Sequence, residues 1–254
     1  MIRIVILGTG NVAKHLYKAF KAQDSLEVVQ VYGRNPKALR YFEPYTKTTS
    51  ELSNIMVADV YMLAVSDDAI GTLSKQLNLT QGILVHTSGS VAMNLLPNRM
   101  GRGVFYPLQT FSENRVLDFK EIPICIEASD DDGLRLLTQL ASALSETVVP
   151  LNSKKRRALH LAAVFANNFT NHMYHLSHEF CDQKDVPFKL LLPLIKETAD
   201  KLEGLSPYDA QTGPARRNDK GTLKKHLSQL KSENHKKIYS LLSKSIQTTY
   251  GKKL

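Results

Sequence analysis

The sequence predicts an α/β fold: a doubly wound, mostly parallel sheet over residues 1–151, then an all-helical domain over 152–254. Three observations carry this. Apolar, β-branched runs alternate with segments of helical periodicity, joined by short connections, as parallel strands with crossover helices require. Such runs cease near Lys154-Lys155-Arg156-Arg157, after which apolar residues recur only at helical spacing. A glycine turn, Gly8-Thr9-Gly10, joins the first apolar run to the first helix.

Taken in order, Ile2, Ile4, Val5, Ile6 and Leu7 make a central strand covered on both faces. In the turn after it, Gly8 permits the bend and Gly10 lets backbone approach a pyrophosphate. Ala13, where a third glycine often stands, holds the helix close to the strand. The helix of residues 11–23 opens with unpaired N–H groups and its positive dipole end, which favour an anion. Residues 8–13 therefore read as a dinucleotide cradle, with Thr9, Asn11 and Val12 beside the ligand.

The second strand, residues 27–32, ends in Gly33-Arg34-Asn35-Pro36. An acid at this tip binds the adenine ribose hydroxyls, whereas an arginine accommodates a 2′-phosphate. With Arg34 and Asn35 here and no carboxylate, NADP is expected over NAD. Short helices are expected at 36–41 and 49–54, and a third strand at 57–65. Beyond the third strand Val65, Ser66, Asp67 and Ile70 should border the cofactor, because ligands sit outside the carboxyl ends of such strands. A fourth strand, 82–86, leads into His86-Thr87-Ser88-Gly89, and a fifth, 103–106, into Pro107-Leu108-Gln109-Thr110-Phe111. A strand at 122–127, a helix at 131–143 and a strand at 147–149 complete the sheet domain. From Leu159 through Phe180 a long helix is expected, then helices over 188–202, after Asp219 and over 232–248.

Charge divides the chain the same way. Residues 1–150 hold 14 Lys+Arg and 15 Asp+Glu, while the remaining residues hold 19 and 9. The basic half lacks a recognition motif or interleaved aromatics, so nucleic-acid binding has no support beyond charge. Nothing is long and apolar enough to span a membrane, and the first strand is too short for a signal peptide, so a cytoplasmic protein is expected. Cys125 and Cys181 lack zinc-binding or disulfide-framework spacing. His172, His175 and His178 recur every three residues, which a solvated helix face explains, and no metal is expected.

Gly8-Thr9-Gly10-Asn11-Val12-Ala13, Ala64-Val65-Ser66-Asp67-Asp68-Ala69-Ile70, His86-Thr87-Ser88-Gly89, Pro107-Leu108-Gln109-Thr110-Phe111 and Gly213-Pro214-Ala215-Arg216-Arg217-Asn218-Asp219 together resemble one family. It is the NADP oxidoreductase family with a Rossmann-like N-terminal domain and a helical C-terminal domain of unknown function. Its distant relatives are pyrroline-5-carboxylate reductase, ketopantoate reductase and 6-phosphogluconate dehydrogenase. The resemblance covers nearly the whole chain and implies a cofactor class and an architecture, but no substrate. Relatives usually carry proline at Ser66 and histidine at Tyr106. The lysine of the better-known reductases, one turn before an asparagine, is replaced here by Ala163 and Val164 before Asn167 and Asn168, so its mechanism does not carry over.

Hydride transfer to a carbonyl or imine profits from a proton donor beside the nicotinamide. His86 is the candidate donor, because it ends a central strand, with Ser88 and Thr87 available to hydrogen-bond substrate or nicotinamide. The competing reading is that His86 pins its own loop. Asn167 and Asn171, on the first helix of the second domain, are candidates for substrate contact, since asparagines among apolar residues need partners. Arg216 has the chemistry to hold an anionic substrate group. The expectation is an NADP-dependent oxidoreductase of small carbonyl or imine metabolites bound between the domains, working as a homodimer. The alternative is a non-catalytic NADP-binding sensor or scaffold.

Overall fold

The computed structural model describes residues 1–113 and 115–251. Strand β1 (Ile2–Leu7) runs into helix α1 (Asn11–Lys21), followed by β2 (Leu26–Tyr32), α2 (Pro36–Leu39), β3 (Lys47–Thr49) and β4 (Val60–Leu63). Then come α3 (Asp67–Gln76), β5 (Ile83–His86), β6 (Gly101–Pro107), β7 (Ile124–Ala128), α4 (Asp131–Ser142) and β8 (Val148–Pro150). Among the described residues eight strands form one sheet in the order β3-β2-β1-β4-β5-β6-β7-β8. Every pairing is parallel except β6 with β7.

Alternation along β1 explains its unbroken apolar composition. Ile4 and Ile6 pack on one face with Leu16 and Phe20 of α1 and Leu137 and Leu140 of α4. Val5 and Leu7 pack on the other with Ile70 of α3, Leu77 and Leu84. Sequential strands leave β1 in opposite directions, toward β2 on one side and β4 on the other, so a crevice opens beyond the carboxyl ends of this pair.

Two local expectations give way. The helix expected at 49–54 shrinks to a single 3-10 turn at Leu52–Asn54, and Thr49 instead ends the short edge strand β3, paired with Gln30, Val31 and Tyr32. Three residues give no periodicity to read, and pairing alone decides them. The helix expected from Leu159 begins earlier, as α5 (Ser153–Ala163), capped by Asn152, whose side chain accepts from the Lys155 N–H. It passes through a π-helical stretch, Val164–Phe169, into α6 (Thr170–Gln183).

The chain forms two compact units that divide at Ala166/Asn167. The boundary expected from composition, 151/152, lies before α5, but α5 belongs with the sheet. Arg156, in the basic run, is fully buried and ion-pairs with Glu127 of β7, while its other nitrogen donates to the Val91 carbonyl. A guanidinium held there ties the helix to the sheet.

The second unit contains α6, α7 (Leu192–Asp200), α8 (Pro207–Ala210), α9 (Lys220–Gln229) and α10 (Glu233–Tyr250). The helix expected over 188–202 is segmented, with 3-10 turns at Phe188–Leu191 and Lys201–Glu203 flanking α7. Among the described residues no helix is long and apolar enough to cross a membrane.

Candidate functional site

The glycine turn builds the floor of the crevice. Gly8 has φ +134°, and a Cβ there would lie 2.1 Å from the Ala64 carbonyl oxygen, so only glycine fits. Gly10 is different. It is the N-cap of α1 with no side-chain cap bond, its φ of −76° suits any residue, and a Cβ would meet nothing within 4 Å. The protein itself places no demand for glycine at position 10, whereas a pyrophosphate laid against the uncapped N–H groups of α1 would. Ala13 is fully buried where the helix meets the sheet, outside the crevice.

The crevice has a volume of about 820 Å³. Of the residues expected to hold a cofactor, it brings together Gly8, Thr9, Gly10, Asn11, Val12, Gly33, Arg34, Asn35, Val65, Ser66 and Thr87. Arg34 is exposed and makes no hydrogen bond or ion pair with the other described residues. Asn35 is engaged by its own helix, since its Oδ1 accepts from the Lys37 N–H at 3.0 Å. Asn11 lends its side chain to another loop, with Nδ2 donating to the Phe111 carbonyl at 3.0 Å.

Besides Ala13, three expected residues stay outside. Ile70 is fully buried between α3 and the sheet. Asp67 accepts a short hydrogen bond from Ser90 Oγ and does not line the crevice, whereas Asp68 beside it does. His86 is also fully buried. Its Nδ1 accepts from the Ser88 N–H at 3.2 Å, which leaves the ring hydrogen of the neutral form on Nε2.

Burial first, and then the Arg156 charge, lower the His86 pKa to about 4, against smaller opposing effects from Asp67 and the Ala92 backbone. The donor role expected for His86 therefore does not match its surroundings: the ring is neutral near pH 7 and closed off from the crevice. Pinning the loop is the role its contacts support. Ser88 works likewise, its Oγ accepting from the N–H groups of Ser90 at 3.1 Å and Val91 at 3.0 Å. Only Thr87 of this loop reaches the crevice.

Just past Thr87 lies a second polar pair, whose members the sequence marks singly, Tyr106 as a departure from the family's histidine and His160 on one helix face with Asn167, but does not join. Tyr106 Oη is 3.1 Å from His160 Nδ1, with the rings edge to face at 6.0 Å. Burial is the main cause raising the Tyr106 pKa. The pair joins positions 54 apart in sequence, and no local periodicity signals it.

A family model described as NADP oxidoreductase, coenzyme F420-dependent, matches residues 3–88, and one described as a domain of unknown function matches residues 122–246. A protein from Bacteroides fragilis, named as a proposed NADP oxidoreductase, is 40% identical, with 97% of this chain and 98% of that chain covered and a TM-score of 0.90. The chain belongs to this NADP oxidoreductase family. Two more distant structures share the fold of this oxidoreductase. One is a reductive aminase from Aspergillus terreus in complex with NADPH and ethyl levulinate, 14% identical, with 99% and 95% covered and a TM-score of 0.74. The other is a 1-pyrroline-5-carboxylate reductase from Streptococcus pyogenes, 12% identical, with 99% and 97% covered and a TM-score of 0.64. No curated protein matches the chain significantly in sequence.

The oxidoreductase lines its crevice with further residues that sequence reading missed: Tyr32 and Ala64 at strand ends, and Ala69, Thr72, Leu73 and Gln76 along α3. A signal existed for the helical set, because these positions follow Ser66 at spacings that fall on one helix face.

In the second unit, Asn167 lies in the π-helical stretch and Asn171 in the first turn of α6, both exposed. Arg216, expected to hold an anionic group, donates instead to the Gln211 and Asp209 carbonyls and lies over the Tyr250 ring. Asp219 caps α9 by accepting from the Thr222 N–H at 3.0 Å. His175 faces Glu179 and His178 faces Asp182, each one turn along α6.

Proposed function

We propose that this protein is an NADP(H)-dependent oxidoreductase that transfers hydride to or from a small carbonyl or imine metabolite. The observation that carries the cofactor choice is the tip of β2. Arg34 stands there exposed and uncommitted, no carboxylate follows the strand, and Asp68 is the single acid lining the crevice. A guanidinium so placed suits a 2′-phosphate, and the missing acid removes the partner of a free 2′-hydroxyl. When bound, the reduced nicotinamide supplies the hydride. The chain's part is to seat the pyrophosphate on Gly8–Val12, grip the 2′-phosphate with Arg34 and leave the β4 and β5 ends open to substrate.

The small-carbonyl or imine class is supported by the reductive aminase and the 1-pyrroline-5-carboxylate reductase that share the fold. The homodimer is supported by the second unit's own composition. Among its described apolar residues only Cys181, Ala210 and Ala215 are buried, while Leu190 is 65% exposed, Leu194 63% and Leu241 69%. A helical unit that buries so little apolar surface needs a partner, and a second copy is the simplest. Two free cysteines fit a reducing, cytoplasmic compartment.

Calorimetric titration with NADPH and NADH, on the protein and on Arg34→Asp, tests the reading. NADPH should bind more tightly than NADH, and the substitution should weaken NADPH by about 10- to 100-fold while sparing NADH, as loss of a charge-assisted contact implies. If neither nucleotide binds, the proposal fails. Binding without oxidation of NADPH across a broad panel of carbonyls and imines would favour a sensor.

A further inference from the structure

Reduction of a carbonyl or imine requires a proton at the heteroatom as well as hydride at carbon, and buried, neutral His86 is a poor source of it. We propose that His160 supplies this proton from Nε2 and that Tyr106 is the positioning residue that aims its ring; the inference rests on the oxidoreductase reading above.

The loop after β5 links the pair to the crevice. Thr87 lines the crevice, and Gly89 follows against both rings. A Cβ on Gly89 would lie 2.6 Å from His160 Nδ1 and 2.7 Å from Tyr106 Cζ, so glycine is required there for close approach. Its φ is not among the positive values, so no turn geometry explains it. In doubly wound sheets the pyrophosphate lies over the first strand and the adenine over the second, which leaves the β4 and β5 ends for the nicotinamide. Thr87 follows β5 and Tyr106 lies near the end of β6, the next strand, so the pair stands on the nicotinamide side.

The hydrogen bond between Tyr106 Oη and His160 Nδ1 runs in the direction the tautomer sets. Where Tyr106 O–H donates to Nδ1, the neutral ring carries its hydrogen on Nε2; in the imidazolium Nδ1–H donates to the tyrosine oxygen and Nε2 keeps its hydrogen. In both states Nε2 is a donor. His160 is partly exposed, unlike His86, so it exchanges protons with water. Hydride adds to the substrate carbon, the imidazolium gives its Nε2 proton to the oxygen or nitrogen, and the neutral ring takes a proton back from water.

The test needs no substrate. Modification of His160 by diethyl pyrocarbonate is followed by peptide mass mapping, with exposed His175 and His178 as internal standards, and nucleotide binding is measured on the same sample. At about ten times its Kd, NADPH should slow His160 modification about tenfold, the free fraction that remains, whereas adenosine 2′,5′-bisphosphate, which carries only the adenine half, should not. NADPH binding without protection of His160, or equal protection by both compounds, overturns the inference and leaves the cofactor reading standing. Failure of NADPH to bind overturns both. For Tyr106, the nitrogen-15 shifts of the His160 ring report the tautomer. Tyr106→Phe should convert a pure Nε2–H ring to a mixture, and an unchanged tautomer overturns the positioning role.

Discussion

Gly8 and Gly10 stand two residues apart and answer to different masters. Alanine at Gly8 meets a left-handed φ and the Ala64 carbonyl at once, so Gly8→Ala should cost about 2 kcal/mol or more in urea unfolding. Gly10→Ala meets open space and an ordinary φ, so unfolding should move by less than about 1 kcal/mol while NADPH affinity collapses. A Gly10→Ala protein that binds NADPH normally would show that no pyrophosphate approaches there. His86 makes the pH prediction. Its pKa falls from 6.5 to about 4 on folding, so below 6.5 the unfolded chain binds the extra proton. Stability is therefore full above pH 6.5 and declines as pH falls toward 4, by up to about 3 kcal/mol from this group. His86→Phe should flatten that part of the curve, measured by urea unfolding between pH 7 and 4.5.

At the scale of elements, α5 is the informative case. Its sequence, Ser-Lys-Lys-Arg-Arg, reads as a solvated basic run, yet one of its two arginines is the largest fully buried side chain among the described residues. Glu127 and the Val91 carbonyl bind its guanidinium, and Ser153 Oγ bonds Glu127 at 2.8 Å while accepting from the Met93 N–H at 3.0 Å. Arg156→Met removes the cation and leaves Glu127 without its partner, so it should cost about 3–5 kcal/mol in unfolding. Arg156→Met should also raise the His86 pKa, because the Arg156 charge helps depress it; proton NMR of the His86 ring tests this in whatever fraction stays folded. Replacing neighbouring Arg157, which is exposed, should leave both readouts unchanged.

At the scale of the whole molecule, the two units differ in how they are held. The sheet unit buries continuous apolar layers on both faces of β1, β4 and β5, sufficient for independent stability. The helical unit leaves leucines of α7 and α10 in solvent. Sedimentation should therefore find a dimer, and Leu194→Glu with Leu241→Glu should shift it toward monomer or loosen the helical unit first in hydrogen exchange. A monomeric wild-type protein at micromolar concentration would remove the dimer from the proposal.

The amino-acid sequence by itself determined what local pattern can encode. Period-two and period-3.6 apolar runs fixed the alternation of strands and helices, and a glycine turn between the first two elements located the crevice beyond the strand ends. Arg34 was legible because its place follows directly from the end of a strand. What only the tertiary structure decided are contacts between residues distant in sequence. His86 ends a central strand in either reading, but register and the packing of α5 turned its ring inward; Tyr106 met His160 because β6 and α5 converge on Gly89. Edge strand β3 exists only through its pairing with β2. Periodicity reports which face of an element is apolar, whereas the identity of the facing partner depends on chain closure over long separations, and no short window of sequence contains it.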